Sequence, residues 1–150
     1  MESLLNDDYF MRIAFTEAEK ALEKGEIPIG CVIVSNNLVI AKAHNLTETL
    51  QDVTAHAEMQ AFTAAAEYLG AKYLKDCTLY VTLEPCIMCL GASYWTQITR
   101  IVYGATDKKH TYSIDKTIFL HPKTTIVGGV LEEECAGVLS AFFGQKRHLP

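Results

Sequence analysis

Apolar residues at Met11, Ala14, Phe15, Ala18, Ala21 and Leu22 recur at spacings of three and four. This predicts an amphipathic helix over 7–24, with Asn6 or Asp7 as its N-cap and Gly25 as its stop. The period then changes. "IPIGCVIVS" and "LVIAKAHN" are strand-like runs split by Asn36-Asn37, a pair that tolerates left-handed conformations, and they predict two antiparallel strands joined by a tight hairpin. Alanine-rich "AHAEMQAFTAAAEYL" predicts a second helix closing at Gly70. "CTLYVTL" predicts a third strand, "IMCLGASYWTQ" a short helix and "RIVYGA" a fourth strand; that order implies a parallel pair joined by a crossover. "TTIVGGV" reads as a fifth strand. "EEECAGVLSAFFGQKR" reads as a last helix, with acids in its first turn and bases in its last, as the helix dipole favours. Residues 106–123 show no clear period and mix charges with aromatics, which predicts a lid or pocket loop. The expected fold class is α/β, a three-layer α/β/α sandwich over a five-stranded mixed sheet.

Composition bounds this picture. A chain of 150 residues, 49% of them hydrophobic, suffices for one domain with a core and is short for two, so 1–150 is expected to be a single domain. "MESLLNDDYF" carries acids where a signal peptide carries lysine or arginine, and no apolar run approaches the ~20 residues that cross a bilayer. A cytoplasmic protein with no membrane partner is expected. Five cysteines, an odd number, point to reduced thiols, with Cys31, Cys77 and Cys135 as small buried hydrophobes in apolar stretches. The net charge of -5 argues against broad electrostatic capture of nucleic acid, although Arg100, Lys108, Lys109, Lys116, Lys123, Lys146 and Arg147 gather toward the C-terminal third.

Two short stretches carry chemistry. In "LEPCIMC", Cys86 and Cys89 share one helix face; taken alone the pair suits a redox dithiol, half of a structural metal site or half of a catalytic one. A thiolate at a helix start is stabilised by the dipole and free amides, and Pro85 suits a first turn. In "TAHAEMQ", His56 and Glu58 would diverge by ~200° on a regular helix, so they cannot ligate from one face, but at a helix start both can border one pocket. Together His56, Cys86 and Cys89 form a zinc ligand set with a fourth tetrahedral position left for water, whose pKa falls toward ~7 on such an ion. Three protein ligands point to catalysis. Glu58, beside the ligands, fits a proton shuttle, and the combination fits hydrolytic deamination of an amidine-like carbon. The competing reading from another class is a non-catalytic zinc-binding scaffold, with His44 or His121 as fourth ligand.

With "MRIAFTEAEKALEKGEIPIGCVIV", "AHN", "DCTLYVTLEPC", "RIVYGATD" and "GVLEEECAGVLSAFFGQKR" added, the chain resembles the zinc-dependent cytidine deaminase superfamily over nearly its whole length, and within it the bacterial tRNA-specific adenosine deaminases. The resemblance implies a cytidine deaminase-like fold, one Zn2+ per subunit on His56, Cys86 and Cys89, Glu58 as the catalytic acid/base, and a homodimer whose partner helps to shape the site. It implies adenosine-to-inosine editing at the wobble position of a tRNA anticodon loop. It further implies Asn45 at the purine edge, Ile29, Val53, Thr54, Ala55 and Leu83 as pocket wall, Asp107 near the flipped nucleotide, and Phe143, Lys146 and Arg147 holding RNA. Two features depart from the tRNA pattern. "KKHTYSIDKT" lacks the glycine of the corresponding loop, and "PCIMCLGASYW" is also similar to guanine deaminases. A free-base or nucleoside deaminase acting on guanine, or on cytosine or cytidine, is therefore the alternative within the superfamily.

Overall fold

The computed structural model describes residues 5–108 and 115–147, the side chains of Lys146 and Arg147 excepted. Helix α1 spans Asp7–Glu23, capped by Asn6, and Gly25 turns the chain away with φ 77°. Strands β1 (Gly30–Ser35) and β2 (Leu38–His44) form the hairpin, with Asn36 and Asn37 at φ 51° and 61°, as a two-residue turn between twisted strands requires. Helix α2 (Ala57–Leu69) ends at left-handed Gly70. Strand β3 (Cys77–Leu83), helix α3 (Ile87–Thr96) and strand β4 (Arg100–Ala105) make the crossover unit. The short strand β5 (Thr125–Val127) and helix α4 (Glu132–Arg147) complete the chain.

The sheet order is β2-β1-β3-β4-β5; β1 runs antiparallel to β2 and β3, and β4 is parallel to both β3 and β5. One face packs on α2 and α3 through Ala57, Ala61, Ala65 and Leu90 against Cys31, Ile33, Leu79 and Val81. The other packs on α1 and α4 through Phe10, Met11, Ala14 and Cys135 against Val32, Tyr80 and Val102. These are the three layers expected. Small residues set the spacing: a Cβ added at Gly30 would run into the backbone of Ala14 and Ala18, and one at Gly104 would meet Cys135 Sγ at 2.5 Å. Asp7 joins the layers, pairing through both carboxylate oxygens with Arg100 at 2.8 Å and accepting the Tyr80 hydroxyl at 2.8 Å.

The expected 106–123 loop is not uniform. Residues 109–114 lie outside the described residues, whereas Lys116–Phe119 forms a 3-10 turn capped by Asp115, and Phe119 and Leu120 pack against the α2/α3 core. A single turn is too short to show a hydrophobic period, so the pattern along the chain did not reveal it. Helix α2 begins at Ala57, two residues later than its pattern predicts, because His56 is extended at φ -69° and ψ 154°.

Candidate metal centre and cavity

The topology gathers chain ends on one edge of the sheet. There β2, β3 and β4 end and the antiparallel β1 begins, so Asn45, Glu84, Thr106 and Ile29 come side by side. The C-terminal edge of parallel strands, where helices start, is where α/β folds place ligands. A cavity of about 890 Å³ opens there, lined by side chains from all four strand ends, from the starts of α2 and α3, and from α4.

At its foot lie His56, Cys86 and Cys89. His56 is the N-cap of α2, Cys86 is the N-cap of α3, and Cys89 stands in the first turn of α3. Their ligand atoms lie within 4.8 Å of one another, and His56 Nδ1 is 3.6 Å from Cys86 Sγ and 3.5 Å from Cys89 Sγ. Tetrahedral zinc with bonds of ~2.0 Å to nitrogen and ~2.3 Å to sulfur separates such atoms by about 3.6 Å. The residues therefore fit zinc in donor type, number and spacing. Among the described residues no other group of histidine, cysteine and carboxylate side chains meets in this way. His44 instead contacts Glu17 and Lys24, and His121 accepts the Lys123 amide and stands beside the Tyr94 ring. Neither completes a fourth protein ligand, which removes the basis of the structural-zinc alternative.

The electrostatics suit a cation. A hydrogen bond from Cys89, aided by one from His56, holds the Cys86 thiol down at about 4. The same bond to Cys86, with burial and the Glu58 charge, pushes the Cys89 thiol up. The hydrogen bond with Cys86 also raises the imidazole of His56. The ligand atoms thus compete for protons that a bound metal would displace. Glu58 lies in the first turn of α2, buried with 4% of its surface exposed, and burial raises its carboxyl against the opposing hydrogen bonds from its own amide and from Cys89.

Of the residues carried over by resemblance, Ile29, Asn45, Leu83, Asp107 and Phe143 line the cavity together with His56, Glu58 and Cys86. Asn45 is buried, its amide donates to Ile29 O at 3.0 Å, and its Oδ1 faces the Thr47 amide at 3.4 Å. Val53, Thr54 and Ala55 stand outside the lining. Asp52 Oδ1 accepts both the amide and the hydroxyl of Thr54, which turns this bend outward and leaves Val53 84% exposed, while Ala55 is buried with its carbonyl accepting from Leu46 and Gln60. The side chains of Lys146 and Arg147 lie outside the described residues. Phe142 is buried against the fold and meets Phe143 edge-on.

The sequence pattern missed much of the remaining wall. Glu84 lines the cavity and accepts the Asp107 amide at 3.0 Å through Oε1 while pairing with Lys116 at 3.0 Å through Oε2. Ala136, Leu139, Ser140 and Phe143 line it from one face of α4, and their spacing of three and four was the available signal. The buried side of α4 runs through Cys135, Leu139 and Phe142, and the cavity-lining stripe flanks it. The spacing does not show that this flank borders a cavity.

Comparison with known proteins agrees with this geometry. The family model described as the cytidine and deoxycytidylate deaminase zinc-binding region matches residues 5–105. The tRNA-specific adenosine deaminase of Bacillus subtilis is 47% identical over 150 residues, covering 96% of this chain and 92% of that protein. A structure from studies of A-to-I editing by tRNA:A34 deaminases at the wobble position of transfer RNA superposes with a TM-score of 0.80 at 41% identity, covering 87% of this chain and 99% of the other. Guanine deaminase from Bacillus subtilis superposes with a TM-score of 0.65 at 33% identity, covering 97% of this chain and 78% of the other.

Proposed function

The chain belongs to the cytidine and deoxycytidylate deaminase zinc-binding family, and we propose that it converts the wobble adenosine of a tRNA anticodon loop to inosine. The near full-length likeness to tRNA adenosine deaminases, 41% identity on superposition against 33% for guanine deaminase, carries the choice of substrate. The cavity, about 890 Å³, has room for one nucleotide turned out of a loop, and loop bases are already largely unstacked.

The reaction replaces the C6 amino group of adenine by oxygen from one water and releases ammonia. Zinc on His56, Cys86 and Cys89, when bound, supplies Lewis-acid activation of that water. The protein moves the protons: Glu58 takes one from the water, passes it to ring N1, and serves again as the amine departs. Its burial keeps bulk water from intercepting them. Asn45 supports the purine edge, Ile29 and Leu83 flank the base, and Asp107 and Phe143 meet the nucleotide at the mouth; the charges of Lys146 and Arg147 suit phosphate.

The whole chain serves this activity as one deaminase domain and acts as a homodimer in the cytoplasm. Supporting the dimer, the outward face of α3 carries Ile87, Tyr94 and Trp95 at helical spacing, with Trp95 76% exposed and Ile118 nearby on the adjoining 3-10 turn. Free cysteines and the absence, among the described residues, of a helix long and apolar enough to cross a membrane are consistent with that compartment. Incubation with an anticodon stem-loop bearing a wobble adenosine, beside free guanine, cytosine and cytidine, tests the substrate: inosine in the RNA is expected, and turnover of guanine without it would sink the proposal.

A further inference from the structure

We infer that Glu26 is a positioning residue for this reaction, its carboxylate fixing the cavity wall that carries Asn45 and Thr47. The inference rests on the reading above only for the choice of substrate. Glu26 lies between α1 and β1 and is fully buried, at 0% exposure, where a carboxylate is seldom placed without a specific partner. Oε1 accepts the Glu48 amide at 3.0 Å and Oε2 accepts the Thr49 amide at 2.6 Å, and the Thr49 hydroxyl adds a further bond. Burial works to raise the Glu26 carboxyl, but the bonds from Thr49 and Glu48 outweigh it and hold the group below its usual range.

These donors share a local cause. Residues 46–50 make a single helical turn, closed by the Leu50 amide on Leu46 O at 2.9 Å, and the first amides of such a turn have no acceptor within it. Asn45 Oδ1 faces the Thr47 amide at 3.4 Å, and Glu26 takes the next two. The turn is thus capped jointly by its own Asn45 and by a carboxylate 22 residues earlier in the chain. The side chains of residues 48–52 are exposed, but the Glu48 and Thr49 amides turn inward to the buried carboxylate. What the buried carboxylate adds is a fixed position. Asn45 and Thr47 line the cavity beside Ile27 and Ile29, one and three residues after Glu26, so one anchor sets both segments of that wall. Leu46 N–H to Ala55 O at 3.1 Å closes the base of the loop just before His56, while the metal ligands themselves hang on α2 and α3.

The test is Glu26→Gln in the full chain, combined with Asn45→Ala in a double-mutant cycle on the anticodon stem-loop. Glu26→Gln is expected to keep one zinc per chain and to lower kcat/KM about ten-fold or more, chiefly through KM, since the wall holds the base in ground and transition states alike. In the Asn45→Ala background the loss should shrink to a few-fold at most, because Glu26 acts through that side chain. Hydrogen exchange should quicken at 46–52 and stay unchanged across α1. Equal losses in both backgrounds, a wild-type kcat/KM, or loss in proportion to lost zinc or folded protein would overturn the inference. If wild-type protein makes no inosine, the tRNA reading fails, and the Glu26 inference is then decided on exchange alone: unaltered protection at 46–52 in Glu26→Gln refutes it.

Discussion

Helix α1 begins as helices in water begin: Asn6 Oδ1 accepts the Tyr9 amide at 2.9 Å, and Asp7 and Asp8 fill the first turn against the helix dipole. Helices α2 and α3 begin on His56 and Cys86, and neither side chain makes a capping bond. A serine or aspartate at either place would satisfy a free amide and add about 1 kcal/mol to the helix. The end of α1 thus serves α1, whereas the ends of α2 and α3 turn their side chains toward one another in an arrangement that fits a cation.

The sharpest way to break this contrast is Cys86→Ser, which gives α3 a good cap and removes a zinc ligand in one step. Metal analysis should find little or no zinc, and inosine formation should be abolished. After chelation, however, the variant should melt no lower than chelated wild type. Zinc retained at one per chain would refute the ligand assignment. Glu58→Gln comes next. With the ligands untouched it should keep its zinc, while kcat falls by ~10²–10⁴, the usual worth of a positioned acid/base. Zinc lost along with activity would show that Glu58 supports the metal rather than the proton transfers.

The same contrast explains what could be read from the chain beforehand. The zinc ligands were legible because each stands at or within one turn of a helix start, and histidine and cysteine are unusual choices there. The sheet was legible because Asn36-Asn37 marks the β1–β2 hairpin and helices separate that hairpin from β3 and β3 from β4. The rest of the cavity depends on long-range packing. Ser140 and Leu139 reach it because α4 lies on β4 at Gly104, and the turn that follows Asn45 is held through its Glu48 and Thr49 amides by Glu26, a residue more than twenty positions earlier in the chain. "GEIP" reads as the approach to a strand, and nothing in its pattern says that the glutamate is buried. Val53 and Thr54, which resemblance assigned to the pocket wall, stand on a bend that Asp52 turns outward. Such local bonding is invisible to a likeness of residue types.

A smaller effect sharpens the comparison at the ordinary end. Asn6→Ala should cost about 1 kcal/mol by removing the α1 cap, a fall in Tm of roughly 2–4 °C for a chain of this size, with zinc content and turnover at 25 °C unchanged. A parallel loss of zinc would mean that α1 is coupled to the site after all.

The smallest effect lies one residue on, and pH separates it from the cap. The Arg100 hydrogen bonds hold the Asp7 carboxyl below its ordinary value of 3.8, against some burial and with help from the Tyr80 hydroxyl. A group depressed in the folded state adds stability that is fully present above its unfolded pKa and is lost as pH falls through the folded one. Because the pair is about one-third exposed, solvent screening limits it to roughly 0.5–1 kcal/mol despite its two-point geometry. Asp7→Asn keeps the shape and removes the charge. Its Tm should therefore fall slightly below wild type at pH 7, and the gap should close as the pH drops below 3.8 and wild-type Asp7 becomes protonated. High salt should narrow the gap at pH 7 as well. The Asn6→Ala deficit arises from a neutral side chain and should persist across the same range. A gap for Asp7→Asn that did not change with pH would assign its contribution to shape at the helix start rather than to charge.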